Sequence, residues 1–465
     1  MRCAIVMFTV LVSGCASLSP DAGFSDATRA VEQRAGASTQ WRGSQPASDT
    51  LQVRVRELLA QPLDAHAAVQ VALLNNPGLQ ATFAEVGIAE TDLVQASRWR
   101  GPTFSFARMR RGGETELERS VFLDVLGLLT LPLSVAGEEA RFAAAKQRAA
   151  GAALRVALDT RKAWFGAVAA RETSRYMDQV HEAAEASAVL AQRMASVGNW
   201  SKLDYAREQA FYADATVQLA RARQAELGSR ERLARLMGLD AHALDFSLPD
   251  RLPDLPKAPN GAKDDLEASA LAQRLDVQAS RMDVEALARA LDLADSTRFV
   301  SMIDLGVHSN SSSGEPRQRG IEIELGLPLF DFGGARTARA ERQYMQAVDR
   351  ALEVAVKARS EVRESYRAYR TQYDLARHYR DEIVPLRKRI SEEVLLRYNG
   401  MLLSVFELLA DARAQVAAVN GYIETLRDFW LAESDFQMAL TSGSPGAGIA
   451  TSTNVPSATA ARDAH

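Results

Sequence analysis

The sequence predicts a mainly helical protein with some β-structure, built from two structural repeats of long coiled-coil helices and a β-hairpin. In two very long stretches apolar residues recur every seven positions, which is typical of supercoiled helices. Each stretch is preceded by two short segments in which apolar and polar residues alternate, as in strands with one apolar face. This order occurs twice in the 465-residue chain, at 63–238 and at 264–440.

The first repeat begins with a predicted helix that Asp64 can cap and that Asn75-Asn76-Pro77 interrupts. A β-hairpin is predicted over 103–133, with Asp124 off its apolar face. The helix that follows, of about 60 residues, would span roughly 90 Å, too long for a compact domain. Its heptad line is Ala149, Val156, Ala163, Ala170, Met177, Ala184 and Ala191.

The second repeat follows the same plan. A helix from 264 leads to a hairpin predicted over 299–329, in which Glu322 and Glu324 share the polar face. Both hairpins end in Leu-Pro-Leu, at 131–133 and 327–329, and we expect the proline to end the strand ladder. A glycine follows each of these segments at the same spacing, and a second long helix starts there. We expect Pro385 to kink that helix, whose heptad line is Val348, Ala355, Val362, Tyr369, Ala376, Ile383 and Ile390.

Residues 1–14 have the layout of a bacterial secretory signal, and Val12-Ser13-Gly14-Cys15 has the form of a lipobox. Cys15 is the predicted lipid attachment site. The alternative is an ordinary cleaved signal with a chance cysteine. Both cysteines lie in the first 15 residues, so the predicted folded body has no disulfide.

Three segments lie outside the repeats. Residues 15–62 are predicted to be a lipidated tether with a short helix around 51–59. Residues 239–263 are rich in proline and predict a linker or small irregular segment between the repeats. Residues 441–465 have the composition of a disordered tail.

Composition argues against several functions. A net charge of −4 gives no indication of nucleic-acid binding. The sequence has no phosphate-binding loop and no zinc-protease motif, and its six histidines are scattered. We therefore expect no catalytic residues, no metal site and no cofactor, and conclude that the protein is not an enzyme.

Four strands cannot close a barrel, and an open sheet edge is not viable in lipid. Three copies would supply twelve strands, an even number within the range of outer-membrane barrels. A charge on the lipid face costs about 2–4 kcal/mol at mid-bilayer. Asp124, Glu322 and Glu324 are therefore predicted to face the lumen.

Taken together, Asn75-Asn76-Pro77, the two Leu-Pro-Leu segments, the paired glycine-containing turns and the lipobox resemble the TolC-type outer-membrane factors. The chain is most similar to their lipidated branch, which serves RND-type efflux pumps. The resemblance implies a homotrimer with a 12-stranded β-barrel in the outer membrane and an α-barrel in the periplasm. It also implies an exit duct for drugs, metal ions or other small molecules. The implied partners are a periplasmic adaptor, an inner-membrane transporter of RND type and outer-membrane lipid.

In that family the adaptor contacts two helix-turn-helix tips and acidic rings narrow the periplasmic end. The first acidic position of the ring motif falls on Glu407, whereas the second falls on Ala410, with Asp411 one residue beyond. The sequence departs from the family there. Three copies of Glu407 would form a carboxylate ring that favours cations; otherwise this is a solvated helix face. The corresponding tip residues are Gly198, Asn199, Trp200, Ser201, Asn399, Gly400, Met401 and Leu402.

Two other functions remain open at this stage. A pump adaptor can also be lipidated and carry a coiled-coil hairpin, but it has one hairpin within domains of short strands. A structural coiled-coil envelope lipoprotein would not need strands with an apolar outer face. The duplicated unit of hairpin and long helices favours the duct.

Overall fold

The computed structural model describes most of the chain between Leu18 and Ser444. The predicted signal peptide, Cys15 and most of the predicted tail lie outside the described residues. No helix in the described part of the chain is both long and apolar enough to cross a membrane. The described residues are 18–19, 21, 23–41, 49–240, 246–257, 266–313 and 315–444.

The first half runs from two short N-terminal helices to a pair of very long ones, with a hairpin before the long pair. Its elements are α1 (Phe24–Ala35), α2 (Asp49–Leu59), α3 (Ala65–Asn75), α4 (Pro77–Ala96), β1 (Thr103–Arg111), β2 (Glu114–Asp124), α5 (Val125–Ser196) and α6 (Lys202–Leu236).

The second half repeats this order, as the sequence predicts. Its elements are α7 (Leu266–Gln273), α8 (Leu275–Ser296), β3 (Met302–Ser312), β4 (Gln318–Gly326), α9 (Gly334–His378), a π-helical turn (Tyr379–Ile383), α10 (Val384–Asn399) and α11 (Val405–Thr441).

The four strands form one antiparallel sheet in the order β1-β2-β3-β4. The two hairpins therefore meet at β2 and β3, where Val121 lies opposite Val307 and Leu123 opposite Leu305. Strands β1 and β4 are the edges, and within this chain each pairs on one side only. The outer sides of β1 and β4 therefore have no strand partner within this chain's sheet.

A polar residue breaks the helix before each hairpin. In the first repeat Asn76 caps α4 by accepting from the Leu79 amide at 3.0 Å, and Pro77 takes the first helical position. The Asn76 amide also donates to the Leu236 carbonyl at 2.8 Å, and Asn75 donates to the Gly238 carbonyl at 2.7 Å. The predicted interruption is confirmed, and it ties this break to the end of α6.

Arg274 occupies the equivalent break between α7 and α8, and its side chain is fully buried. The guanidinium contacts Asp276 at 2.7 Å and Glu361 at 2.8 Å, and it donates to the Ala439 carbonyl at 3.3 Å. Burial alone would lower the pKa of Arg274, but the hydrogen bonds and charges of Asp276 and Glu361 outweigh it and raise the pKa. The second break is therefore tied to the end of α11.

The largest apolar core lies where the two repeats meet, around the middle of the long helices. Trp164 packs edge-on against Phe165, which stacks on Trp430 at 5.0 Å, and the Trp164 indole donates to the Leu63 carbonyl at 2.7 Å. The described part of the predicted linker, 246–257, packs into this core. It contributes Phe246, Leu248, Leu252 and Leu255.

The predicted tether is wrong for residues 23–41, which are folded. Ala27 and Val31 of α1 are buried, and Lys146 of α5 contacts Asp26 at 2.8 Å. The backbone amide of Ser19 donates to Glu90 at 2.8 Å. The predicted short helix is present as α2. The polar composition concealed α1 because its buried residues are small.

The hairpin predicted over 103–133 is too long. Strand β2 ends at Asp124, whose carboxylate caps α5 by accepting from the Gly127 amide at 2.6 Å. Pro132 then lies inside α5 rather than at the end of a ladder. In the second repeat Leu327–Leu329 does follow the end of β4, although β3 starts at Met302 rather than near 299.

The helix after Gly333 changes its hydrogen-bonding pattern just before Pro385. Its ladder passes through the π-helical turn, and Pro385 falls in the first turn of α10. A π-turn shifts the pairing by one residue, which accommodates a proline that lacks an amide donor. The irregularity expected at Pro385 is therefore a change of helical pitch that starts at Tyr379.

Candidate functional site: the sheet faces and the helix tips

One face of the sheet is apolar and uncovered. Phe104, Val121, Val307 and Ile321 lie side by side across all four strands. Ile321 is 77% exposed and Phe104 is 74% exposed in the isolated chain. A continuous exposed apolar face of this kind marks a surface that contacts a partner or a membrane.

The opposite face is acidic near the helical end of the sheet. Asp124, Asp304 and Glu324 lie directly opposite one another in one cross-strand row. Two residues farther from the helices, Glu322 lies on the same face, opposite Gly306. Like charges placed this way repel unless water solvates them. The three residues predicted to face a lumen, Asp124, Glu322 and Glu324, thus share a face that requires water.

Two glycines on this acidic face make room for ring side chains. A Cβ at Gly306 would lie 2.6 Å from a ring carbon of Phe122, and one at Gly320 would meet the His308 ring. The ring of Phe122 therefore occupies the space that a side chain at position 306 would need, and the His308 imidazole does the same at position 320.

The first tip joins α5 to α6 through Gly198, which has φ 79°. Ser201 caps α6 by accepting from the Asp204 amide at 3.1 Å. Val197 is 69% exposed. The turn therefore presents an apolar side chain at the far end of the long helices.

The second tip turns on a different residue from the one expected. Gly400 has an ordinary φ of −78°, and Met401 takes the left-handed conformation with φ 58°. Met401 and Leu402 are 93% and 76% exposed. A non-glycine residue in this region is strained, which is common at functional surfaces.

The two tips touch. The ring of Trp200 lies 5.4 Å from that of Phe406, centroid to centroid. Trp200 is therefore half-buried and does not stand free as an anchor. The sequence singled out Trp200 and missed Phe406, although both lie within six residues of a tip glycine.

Glu407 completes a capping box at the start of α11. Its carboxylate accepts from the Ser404 amide at 2.9 Å, and the Ser404 hydroxyl faces the Glu407 amide in return. The side chain also remains exposed. Glu407 thus has a structural role that is independent of any aperture.

Asp411 is 8% exposed, and one carboxylate oxygen, Oδ2, has no hydrogen-bond partner among the described residues. Two residues farther along the helix, Arg413 reaches Glu208 of α6 at 3.6 Å, and Glu208 also accepts from Ser187 at 2.9 Å. The tip end of α11 therefore carries charge into the interface with the first repeat.

Among the described residues no group of His, Cys, Asp and Glu side chains could hold a metal ion. The predicted lipid attachment residue, Cys15, lies outside the described residues. The candidate functional surfaces of the described chain are the two sheet faces and the two joined tips.

The sequence profile of the family described as outer membrane efflux protein matches residues 266–391. Over these residues the sequence is similar to that family. The match starts at α7 and runs into α10, so it covers the hairpin and the long helical limb of the second repeat. No curated protein matches the chain in sequence.

Several solved structures share the fold of the chain. The Campylobacter jejuni CmeC outer membrane channel aligns with a TM-score of 0.69 at 17% identity, over 83% of this chain and 87% of that one. The outer-membrane channel OprN aligns at 0.70 and 17%, over 90% and 96%. The Neisseria gonorrhoeae MtrE outer membrane channel, in its open state, aligns at 0.67 and 16%, over 84% and 91%.

Proposed function

We propose that this chain is one subunit of the outer-membrane exit duct of a tripartite efflux system. The observation that carries the proposal is the sheet, which has one uncovered apolar face, one acidic face and two open edges. Helix α5, with 72 residues, would extend about 108 Å beyond it. An apolar outer face and a wet inner face are what a barrel in lipid requires.

Three copies would close the barrel. Pairing β4 of one copy with β1 of the next satisfies the edge backbone groups, which would otherwise remain unpaired in lipid. The result has twelve strands with the row of Asp124, Asp304 and Glu324 facing water. The long helices would continue as a periplasmic tube, and cargo would pass through without chemical change.

The tips are the proposed docking site for a periplasmic adaptor. Their exposed apolar residues are Val197, Met401 and Leu402. These side chains suit contacts with a partner protein that presents helix tips of its own. Gly198, Asn199, Ser201, Asn399 and Gly400 shape the two turns. The contact between Trp200 and Phe406 makes the two tips one surface. An inner-membrane transporter, of RND type by resemblance, would supply the energy.

Glu407 and Asp411 are the proposed aperture residues. The exposed carboxylate of Glu407 is the better candidate for a ring that selects cations. Asp411 is buried in the isolated chain, so it would contribute only if the tips move apart. The cargo class remains drugs, metal ions or other small molecules.

Lipid attachment at Cys15 is also part of the proposal. The bond from Ser19 to Glu90 fixes the chain four residues after Cys15 near the end of α4 that leads to the sheet. Four extended residues reach at most about 14 Å. An acyl chain on Cys15 would then enter the membrane beside the base of the barrel.

Disulfide trapping of the barrel seam tests the proposal. Ser105→Cys in β1 is combined in turn with Gln318→Cys, Glu322→Cys and Glu324→Cys in β4. Oxidation of the membrane-inserted protein should give covalent dimers and trimers on a denaturing gel for at least one register. The matched control, Ser120→Cys with His308→Cys, joins partners within one chain and should give monomers only.

The alternatives give different results. An adaptor or a structural coiled-coil lipoprotein would give monomers for all three edge pairs and no conductance in planar bilayers. The duct should conduct, and Glu322→Gln with Glu324→Gln should reduce its cation preference. Monomers in every register would overturn the proposal.

A further inference from the structure

The apolar face of the sheet carries arginines at the end farthest from the helices. The register places Phe106, Arg119, Ser309 and Arg319 in one row, next to the row that contains Phe104 and Ile321. Strand alternation places further arginines on the same face, beyond Phe106. Together Arg108, Arg110, Arg119 and Arg319 form what we term the arginine belt, and all four are exposed.

Charge is segregated between the two faces of the strands. Among strand residues whose side chains the structure describes, every charged residue on the apolar face is an arginine of the belt. The acids alternate onto the other face, at Glu114, Glu116, Glu118, Asp124, Asp304, Glu322 and Glu324. No belt arginine forms an ion pair with a carboxylate in the described part of the chain. The belt therefore offers uncompensated positive charge on the outer surface.

The belt lies at the edge of the apolar band. From Leu325 to Arg319 the chain advances about 20 Å along the strand, or about 15 Å along the barrel axis at a typical tilt. Exposed apolar residues below the strand, among them Leu327, Leu329 and Phe330, extend the band toward the helices. An outer-membrane barrel has an apolar band about 25 Å tall, so the belt falls at the outer headgroup level.

The spacing suits phosphate groups. Arg119 and Arg319 are separated by one strand, about 10 Å, and Arg108 is diagonal to Arg119 at about 7–8 Å. Arg317 donates from Nε to the Ser309 hydroxyl at 2.8 Å, which brings a fifth guanidinium to this row. A guanidinium binds phosphate with two parallel hydrogen bonds and gives up its hydration more readily than an ammonium group.

We propose that the arginine belt binds the phosphate groups of phosphorylated glycolipids in the outer leaflet. The proposal rests on the proposed function, since it needs the sheet to stand in the outer membrane with its apolar face outward. Three copies would surround the barrel with twelve belt arginines. Phosphate-bearing lipid would then fix the height of the duct in the membrane.

Native mass spectrometry of the full-length, detergent-solubilised protein tests this. The probes are a bis-phosphorylated lipid A and the same lipid with both phosphates removed. The wild type should bind the phosphorylated lipid at least about tenfold more tightly, given the attraction expected of several arginines near an anionic surface. The variant Arg108→Gln/Arg110→Gln/Arg119→Gln/Arg319→Gln should lose that preference.

The control variant removes four exposed arginines from the helices, by Arg221→Gln/Arg342→Gln/Arg350→Gln/Arg359→Gln. It changes net charge equally and should keep the preference. A second belt variant, with the four arginines changed to lysine, keeps the charge and should retain part of the preference. If the glutamine variant does not insert into the membrane, the lysine variant still tests whether the belt arginines determine the lipid preference.

Equal binding of the two lipids by the wild type would overturn the proposal, and so would an equal loss in the helix control. Displacement of the lipid by millimolar inorganic phosphate would also overturn it, since it would indicate a simple anion site. The seam disulfide assay separates this failure from that of the duct. Covalent trimers with equal lipid binding would remove the belt function alone.

Discussion

The two repeats meet the same structural need with different chemistry. Asn76 and Arg274 stand at equivalent helix breaks with nearly the same backbone, at ψ 117° and 129°. Each donates to a carbonyl near the end of the last helix of its own repeat, Leu236 or Ala439. The first repeat uses a neutral amide, and the second uses a buried cation with two carboxylates. The two repeats therefore have the same backbone conformation at the break, but different side-chain interactions stabilise it.

The exit from the hairpin also differs. In the first repeat α5 starts one residue after β2, and Gly137 lies inside that helix. In the second repeat a loop follows β4, and Gly333 takes a left-handed conformation with φ 72° just before α9. The first limb is then an unbroken helix of 72 residues, while the second is divided by a π-turn. The long limb of the first repeat is therefore one continuous helix, whereas that of the second repeat consists of two helices joined by the π-turn.

The largest expected difference between the repeats is at the two breaks. Arg274→Ala would leave Asp276 and Glu361 without their buried partner, so it should lower the free energy of unfolding by about 3–5 kcal/mol. Asn76→Ala removes a cap and should cost only about 1–2 kcal/mol. Urea unfolding of the detergent-solubilised protein, followed by circular dichroism, measures both. Equal losses would mean that the charge network adds nothing beyond a cap.

The matched glycines should respond with opposite signs. Gly333→Ala places a Cβ against the Arg298 carbonyl in a left-handed conformation and should cost about 2–3 kcal/mol. At Gly137 the nearest side-chain atom to an added Cβ is 3.7 Å away. Gly137→Ala should therefore stabilise α5 by about 0.5–1 kcal/mol. Thermal unfolding measures both, and a destabilised Gly137→Ala protein would contradict the assignment of that exit as helix.

The smallest contrast lies at the tips. An added Cβ at Gly198 meets no atom within 4 Å, so Gly198→Ala should cost only the conformational strain, about 1 kcal/mol. Met401→Gly relieves the same strain and should change stability by less than about 0.5 kcal/mol, because glycine loses more entropy on folding. Hydrogen exchange at each turn measures local opening. Faster exchange at 401 in Met401→Gly than at 198 in Gly198→Ala would contradict this.

Much of this architecture could be predicted from the sequence, because it depends on periodic patterns. The heptad lines, the alternating strands, the cap at Asp64 and the helix break at Asn76 all act locally. The fold was predicted correctly as well, and the profile match over 266–391 agrees with the predicted family, whereas the predicted lipidated branch stays a prediction. Helix α1 was missed because its buried side chains are mostly small and its flanks are polar. The start of α5 was missed because Val125–Leu133 contains a proline and alternates in a way that also suits a strand.

The site residues depend on contacts that no local pattern specifies. The contact between Trp200 and Phe406 joins segments about two hundred residues apart, and the left-handed residue at the second tip is Met401 although a glycine precedes it. The burial of Asp411 is likewise a property that no local pattern specifies. The face of the sheet on which the acidic strand residues lie could be predicted, because the alternation of side chains along a strand alone decides it. Their place in a lumen remains a prediction that the seam and conductance experiments test.

The open edges of the sheet have a consequence for biogenesis. A single subunit in lipid would expose two rows of unpaired backbone groups, at β1 and at β4, each costing several kcal/mol. For the proposed duct, insertion would therefore have to follow or accompany the meeting of subunits, and its yield should rise steeply with their concentration. A subunit that finds no partners stays outside the bilayer with its apolar sheet face uncovered, where chaperones and proteases compete for it.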